Sequence, residues 1–321
     1  MAALVSIRDS VGAERADEPL LVVLVGPTAS GKTALSLQLA ETLGGEIVSC
    51  DSVAVYQEME LGTAKPTRAE RRRVPHHLLD VVPPHVEYNA GDYGRGARAA
   101  VHDIAARGRV PIVTGGTGLY LRALLDGLSA APQRDDALRD RLRVLAERRG
   151  PGALHRMLRR FDLAAAERIH ANDAPKLVRA IEVSILERRP MSATWSAAKP
   201  EPLQGFHVVQ LGLQPMRAEL YKRIDLRCAH MFRDGLVAET AALVARYGAG
   251  CRALHALGYA EAQAVLSGAM SEAEAVAKTQ QGHRNYSKRQ GTWFRRDARI
   301  RWIPHFGAEA LPQVLALLRD A

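Results

Sequence analysis

Leu20-Leu21-Val22-Val23-Leu24-Val25-Gly26-Pro27-Thr28-Ala29-Ser30-Gly31-Lys32-Thr33 decides the fold. An unbroken apolar run of strand length leads into a glycine turn, and the turn opens an amphipathic stretch, Thr33–Leu43. The turn fits G-x-x-x-x-G-K-[ST] between a strand and a helix, the pattern of a phosphate loop. Its glycines let backbone N–H groups curl toward an anion, and the helix N-terminus adds its positive dipole end. Lys32 would neutralise terminal phosphate oxygens, and the Thr33 hydroxyl would hold Mg²⁺. Gly26, Pro27, Thr28, Ala29, Ser30, Gly31, Lys32 and Thr33 therefore form the predicted polyphosphate site. The pattern does not say which polyphosphate binds.

Outward from this loop the chain alternates short apolar runs with helical stretches, which predicts βα units and a parallel sheet. Glu46–Cys50 reads as a strand ending at Asp51, and His77–Val82 and Arg109–Thr114 as further strands with a helix near Asp92–Arg107. After Asp126 the texture becomes helical without strands: Asp135–Arg149, Gly152–Arg160, Leu163–Ile169 and Ala174–Glu187. Phe206–Leu213 then returns as a buried strand, so the helical block is an insertion. From Met216 to Phe294 the reading is mostly helix, with Gly235, Gly248, Gly250 and Gly258 as stops. The expected organisation is a flexible tail at 1–19, a phosphate-loop α/β core at 20–125 and 200–321, and a helical insertion domain at 126–199.

The 321 residues, 47% hydrophobic and 25% charged, exclude a largely disordered chain and allow more than one domain. No apolar run approaches the ~20 residues of a membrane span. The N-terminus carries Arg8, Asp9, Glu14, Arg15 and Asp17, unlike a signal peptide, and Cys50, Cys228 and Cys251 form no zinc or disulfide pattern. These features predict a cytoplasmic protein. Lys plus Arg number 44 against 35 Asp plus Glu, a net +9. Charge of that size points only weakly to nucleic acid, and its distribution matters more. Between Lys278 and Arg301 stand Lys278, Arg284, Lys288, Arg289, Arg295, Arg296, Arg299 and Arg301 with Asp297 as the lone acid. Tyr286, Trp293, Phe294 and Trp302 interleave, as phosphate contacts beside base stacking require; a solvated basic helix with core aromatics would read the same way.

The partners of an ordinary NTPase are missing: there is no NKxD, no LSGGQ and no apolar run ending in Asp-Glu. Asp51 ends a strand on the side where doubly wound sheets place ligands, and it reads equally as a Mg²⁺ ligand, a general base or a helix cap. Gly115-Gly116-Thr117-Gly118-Leu119-Tyr120 is a second glycine turn between strand and helix, either structural or a binding loop in which Thr117 donates to phosphate.

Taken in order, these blocks make the chain resemble the tRNA dimethylallyltransferases (tRNA isopentenyltransferases), from about Leu21 to Arg296. The resemblance rests on Gly26–Thr33, Asp51-Ser52, Gly62–Pro66, Pro75–Asp80, Gly115–Tyr120, His170–Asp173, Arg179–Val183 and Lys288–Arg295. It implies an α/β, phosphate-loop NTPase-like parallel sheet flanked by helices, with an all-helical insert and a helical C-terminal region that binds tRNA. It implies transfer of a dimethylallyl group from dimethylallyl diphosphate to N6 of the adenosine 3′ of the anticodon, with Mg²⁺ and without ATP consumption. Asp51 would be the base, Thr117 a phosphate donor and Arg223, in Arg223-Ile224-Asp225-Leu226-Arg227, a diphosphate clamp. The implied tRNA contacts are Asp51, Ser52, Val53, Ala54 and Thr117; Arg139, Pro175, Lys176, Leu177, Val178 and Arg179 in the insert; and His255, Gly258, Tyr259, Lys288, Arg289, Gln290, Trp293 and Arg295. Three places depart from the family wording: Ala54 and His255 stand where it has Gln, and Gln280–Tyr286 replaces Thr-Arg-Gln-Tyr-Ala. With no Cys/His finger following, the bacterial type is implied, working as a monomer. Two alternatives share the phosphate loop: an adenine-nucleotide prenyltransferase, with no use for the basic helix, and a small-molecule kinase, which needs a lid of arginines. A non-catalytic RNA-binding module would need neither Asp51 nor Thr117.

Overall fold

The computed structural model describes residues 18–129, 132, 134–150, 152–193 and 200–320. The predicted tail falls, apart from Glu18 and Pro19, outside the described residues. The chain divides into two compact units, one formed by Met1–Leu125 with Leu203–Ala321 and the other by Asp126–Pro202.

The first unit is built on a six-stranded parallel sheet in the order β3-β2-β4-β1-β5-β6. Its strands are β1 (Leu20–Val25), β2 (Glu46–Cys50), β3 (His76–His77), β4 (Pro111–Gly115), β5 (His207–Leu213) and β6 (Ile300–Ile303). Central β1 has both edges paired, with β4 on one side and β5 on the other, and helices pack over both its faces, so both faces must be apolar. On one face Val22, Leu24, Ile47 and Ile112 pack under α1 (Lys32–Leu43) and the C-terminal α13 (Leu311–Arg319); on the other Leu21, Val23, Val48 and Val113 pack under α3 (Ala90–Ala106) and α4 (Gly118–Leu125). Between β2 and β3 lies the short α2 (Arg68–Arg73). The second unit consists of α5 (Asp136–Arg149), α6 (Gly152–Phe161), α7 (Leu163–Arg168) and α8 (Ala174–Leu186) around Leu154, Leu158, Leu177 and Ile181. The C-terminal part of the first unit adds α9 (Arg217–Arg233), α10 (Leu236–Tyr247), α11 (Tyr259–Leu266) and α12 (Glu272–Phe294).

Two expectations are corrected. The strand predicted over His77–Val82 is only His76–His77, because Leu78 and Asp80 take positive φ (59° and 54°), and the Asp80 carboxylate is held by Lys65 and Arg71. The basic segment between Lys278 and Arg301 is helical only as far as Phe294, the expected end of the helix, and there that ring enters the core instead of offering a stacking face. Ile300–Ile303 then becomes β6, parallel to β5. Phe294 is therefore buried, and Trp302 packs against the same core cluster; neither is a base-stacking surface.

Candidate active site

The phosphate loop sits where the strand order around β1 places a crevice at the carboxyl edge of the sheet. Gly31 caps α1 in the left-handed region with no side-chain capping bond, so the first amides of the helix are left for a ligand. Lys32 Nζ closes on the loop itself, donating to the carbonyls of Gly26 (2.9 Å) and Pro27 (2.8 Å). Burial lowers its pKa to about 8, and the neighbouring Arg227 pushes the same way while Asp51 opposes. Arg227, reaching in from α9, donates to Thr28 Oγ1 at 2.6 Å and to His283 Nδ1 at 3.4 Å, while its Nε–H has no partner among the described residues. Burial, then Arg227, takes His283 down to about 4, so the imidazole is neutral near pH 7 and accepts from the guanidinium.

Gln290 of α12 joins the two glycine turns. Its Oε1 accepts from Thr28 N–H (2.8 Å) and its Nε2 donates to Gly116 O (3.0 Å). A Cβ on Gly116 would lie 2.0 Å from that amide nitrogen, and one on Gly118 would lie 2.1 Å from the Trp293 ring. The second glycine turn packs closely against α12, its Gly116 and Thr117 amides donate to Cys50 O, both at 3.2 Å, and Gly115 and Gly116 line the cavity. The Thr117 hydroxyl accepts from Ser52 N–H at 3.0 Å, which holds it on the Asp51-Ser52 turn, and it bonds the Tyr286 phenol as well.

Asp51 lines the cavity. Its Oδ1 accepts from the amides of Val53 (2.8 Å) and Ala54 (3.1 Å), which fixes the carboxylate, and no described residue bonds Oδ2. Both the cap reading and an open carboxylate oxygen are therefore realised in one side chain. Burial pushes the adjacent Cys50 thiol up to about 12, too high for a nucleophile at neutral pH. Tyr286 also lines the cavity, its phenol pushed to about 12 by burial and the nearby Asp51, so it remains a donor.

The cavity holds about 450 Å³. Thr28, Lys32, Thr33, Asp51, Arg223 and Arg227 line it together with Thr63–Pro66, His76 and Leu79. The sequence blocks Gly62–Pro66 and His76–Asp80 thus form a wall. That wall is braced by Lys65, whose fully buried side chain donates to Tyr56 O (2.5 Å) and Asp80 Oδ1 (2.6 Å), while Arg71 holds Asp80 Oδ2. Burial raises the Asp80 pKa, but the hydrogen bonds from Lys65 and Arg71 outweigh it and leave the carboxyl low.

The remaining sequence-derived residues separate by exposure. Lys288, Arg289 and Arg295 stand exposed on or just past α12 together with Trp293, 44% exposed, while Gln290 turns inward. His255 is exposed; Tyr259 is fully buried, donating to Glu239 (2.5 Å) and accepting from Gly62 N–H (3.3 Å). Ala54 is buried beside Asp51, and Gly258 caps α11. In the second unit Arg139 and Arg179 clamp buried Glu182, and Leu177 and Val178 are core. Pro175 and Lys176 start α8 at the surface. Sequence reasoning missed Arg227 and the inward role of Gln290. The spacing of Tyr286, Gln290 and Phe294, one helical face, was the available signal.

Two family models match the chain, IPP transferase over residues 54–297 and Isopentenyl transferase over residues 19–80. It is 56% identical over 293 residues to the tRNA dimethylallyltransferase of Koribacter versatilis, covering 91% of this chain and 95% of the relative. It is 49% identical over 288 residues to that of Solibacter usitatus, covering 89% and 93%. Among solved structures it is similar to the full-length tRNA isopentenylpyrophosphate transferase of Bacillus halodurans, with a TM-score of 0.69, 34% identity and coverage of 94% and 96%.

Proposed function

The chain belongs to the tRNA dimethylallyltransferases, and on that premise we propose that it transfers a dimethylallyl group from dimethylallyl diphosphate to N6 of the tRNA adenosine 3′ of the anticodon. What carries the reading is one juxtaposition: Lys32, Arg223 and Arg227 line the cavity with no carboxylate ion pair among the described residues, and Asp51, with one carboxylate oxygen open, lines the same cavity. In the proposed step the N6–C1 bond forms as the bond from C1 to the diphosphate oxygen breaks. The N6 proton passes to Asp51, whose position is held by the Val53 and Ala54 amides. Charge gathering on the departing diphosphate meets donors already in place: the amides at the start of α1, Lys32, Arg227 and Arg223. Thr33 fits a Mg²⁺ role, since its hydroxyl lines the cavity and bonds to no described residue. Magnesium usually takes one or two protein oxygens beside substrate phosphates and water. When bound, the ion would supply further neutralisation of the diphosphate.

The tRNA arm of the proposal rests on the exposed face of α12, where Lys288 and Arg289 offer phosphate contacts and Trp293 a stacking ring. N6 becomes reachable when the adenine leaves its stack, which is easier in an anticodon loop than in a duplex. We further propose that one chain suffices and that the enzyme works in the cytoplasm; no helix among the described residues is long and apolar enough to cross a membrane.

The test is a transfer assay with labelled dimethylallyl diphosphate and Mg²⁺ against unmodified tRNA, AMP and ATP in parallel. Label in the anticodon-loop adenosine alone is the expected result. Label in AMP or ATP would replace the reading by a nucleotide prenyltransferase, and phosphate release from ATP without label by a kinase. Asp51→Ala should nearly abolish transfer while tRNA affinity stays within a few-fold, and transfer at the wild-type rate would remove Asp51 as the base.

A further inference from the structure

We propose that the segment joining β6 to α13 is a working part of the diphosphate site, with Phe306 the positioning residue for Arg223. The inference rests on the diphosphate reading above. Arg223 projects from α9 into the cavity wall, exposed, and its guanidinium bonds to no described residue. It lies over the ring of Phe306, with the guanidinium carbon 3.7 Å from the ring centroid. A flat cation on a ring face keeps its N–H donors pointing sideways, available to an anion, while the ring limits the rotamers the long side chain visits. Phe306 is itself held, half-buried against the α9 cluster of Leu220, Ile224 and Cys228, on which Ala29 of the phosphate loop also packs.

The next residue ties the segment to the loop directly. Gly307 N–H donates to Ser30 O at 3.0 Å. A Cβ on Gly31 would lie 2.7 Å from Gly307 Cα, so the two backbones cross where no side chain fits on Gly31. Beyond the crossing, α13 places Val314 and Leu318 in the cluster that holds Leu35 and Leu39 of α1. The phosphate loop is therefore backed by chain from the far C-terminus, in residues beyond the 54–297 span of the family match. The ring supplies what the loop lacks, a fixed seat for a cation that arrives from another element.

The experiment is calorimetric titration of inorganic diphosphate with Mg²⁺ into the full chain, alongside KM and kcat for dimethylallyl diphosphate. Phe306→Leu keeps an apolar side chain but removes the ring face. It should weaken diphosphate about five- to tenfold and lower kcat/KM by at least a similar factor, with part of the loss in kcat because charge gathers on the diphosphate as it leaves. Phe306→Tyr should bind as the wild type does. In an Arg223→Ala background, Phe306→Leu should cause no further loss, because the ring acts only through that guanidinium. Unchanged affinity in Phe306→Leu, or a loss of equal size in the Arg223→Ala background, overturns the inference alone. Failure of the wild-type chain to bind diphosphate overturns the diphosphate reading and this inference together.

Discussion

Two of the places where cationic side chains gather settle the charge in opposite ways. In the helical unit Arg139 and Arg179 close on Glu182, whose side chain is fully buried, with the Asp135 amide completing the carboxylate's bonds. Burial alone would raise the Glu182 pKa, but the hydrogen bonds from the two guanidiniums outweigh it and hold the carboxyl at about 2. At the phosphate loop Lys32, Arg223 and Arg227 have no such partner, and Lys32 leans on backbone carbonyls instead. A matched cluster is a finished piece of structure. An unmatched one in a cavity is an arrangement that an anion would complete.

The largest effect should come from unmatching the finished cluster. Glu182→Ala leaves two guanidiniums facing an emptied buried position and should cost about 3–5 kcal/mol, read by chemical denaturation. The folded carboxyl sits below its unfolded value of 4.5, so its contribution is full above about pH 4.5 and fades as pH falls toward 2. A variant as stable as the wild type would mean that the cluster holds nothing together. Removing a cation from the other cluster should behave oppositely. Lys32→Met should slow transfer by about 10²–10³ while leaving the melting temperature unchanged or higher, because a buried charge with a depressed pKa opposes folding. Loss of stability in that variant would place Lys32 among structural cations.

A smaller effect separates the clusters by pH. Lys32 titrates near 8 in the free protein, and a bound diphosphate would favour its charged form. Diphosphate affinity should therefore be level below pH 8 and fall by up to about tenfold per unit above it, in titrations at pH 7, 8 and 9. Stability of the free protein should move the other way, rising from pH 8 toward 10.5, since the unfolded chain still holds the proton. The smallest effect is at the surface. Lys288→Ala and Arg289→Ala should each flatten the slope of log tRNA affinity against log salt by about one unit or less, and an unchanged slope would take those residues off the phosphates.

What the sequence made legible was local. The apolar run of β1, the loop and the start of α1 are contiguous, so one stretch carries the whole pattern. The helical texture of the insert reads from periodicity over many turns. What stayed hidden was assembled from afar: Gln290 meets Thr28 across 262 positions and Arg227 meets it across 199. No local pattern encodes such pairings, although the common face of Tyr286, Gln290 and Phe294 marks them as inward. The strand Ile300–Ile303 was too short and too charged to stand out beside the helix before it. Its pairing with β5 is what makes it a strand. His77–Val82 failed the other way: an apolar run cannot show that Leu78 and Asp80 turn into the left-handed region.

The order of the strands also sets an order of events during synthesis. β1 receives β4 early, but its other edge waits for β5, made only after the whole Asp126–Pro202 excursion. Leu203 N–H meets Leu125 O at 2.7 Å, so the excursion leaves and rejoins the core at one point, and closing so long a loop costs only logarithmically more than closing a short one. In the interval Leu20–Val25, the most apolar strand of the protein, has one open edge on the ribosome. An insert that folds on its own core shortens that exposure, and one that misfolds prolongs it, so aggregation of the nascent chain is a sensitivity built into where the insertion lies.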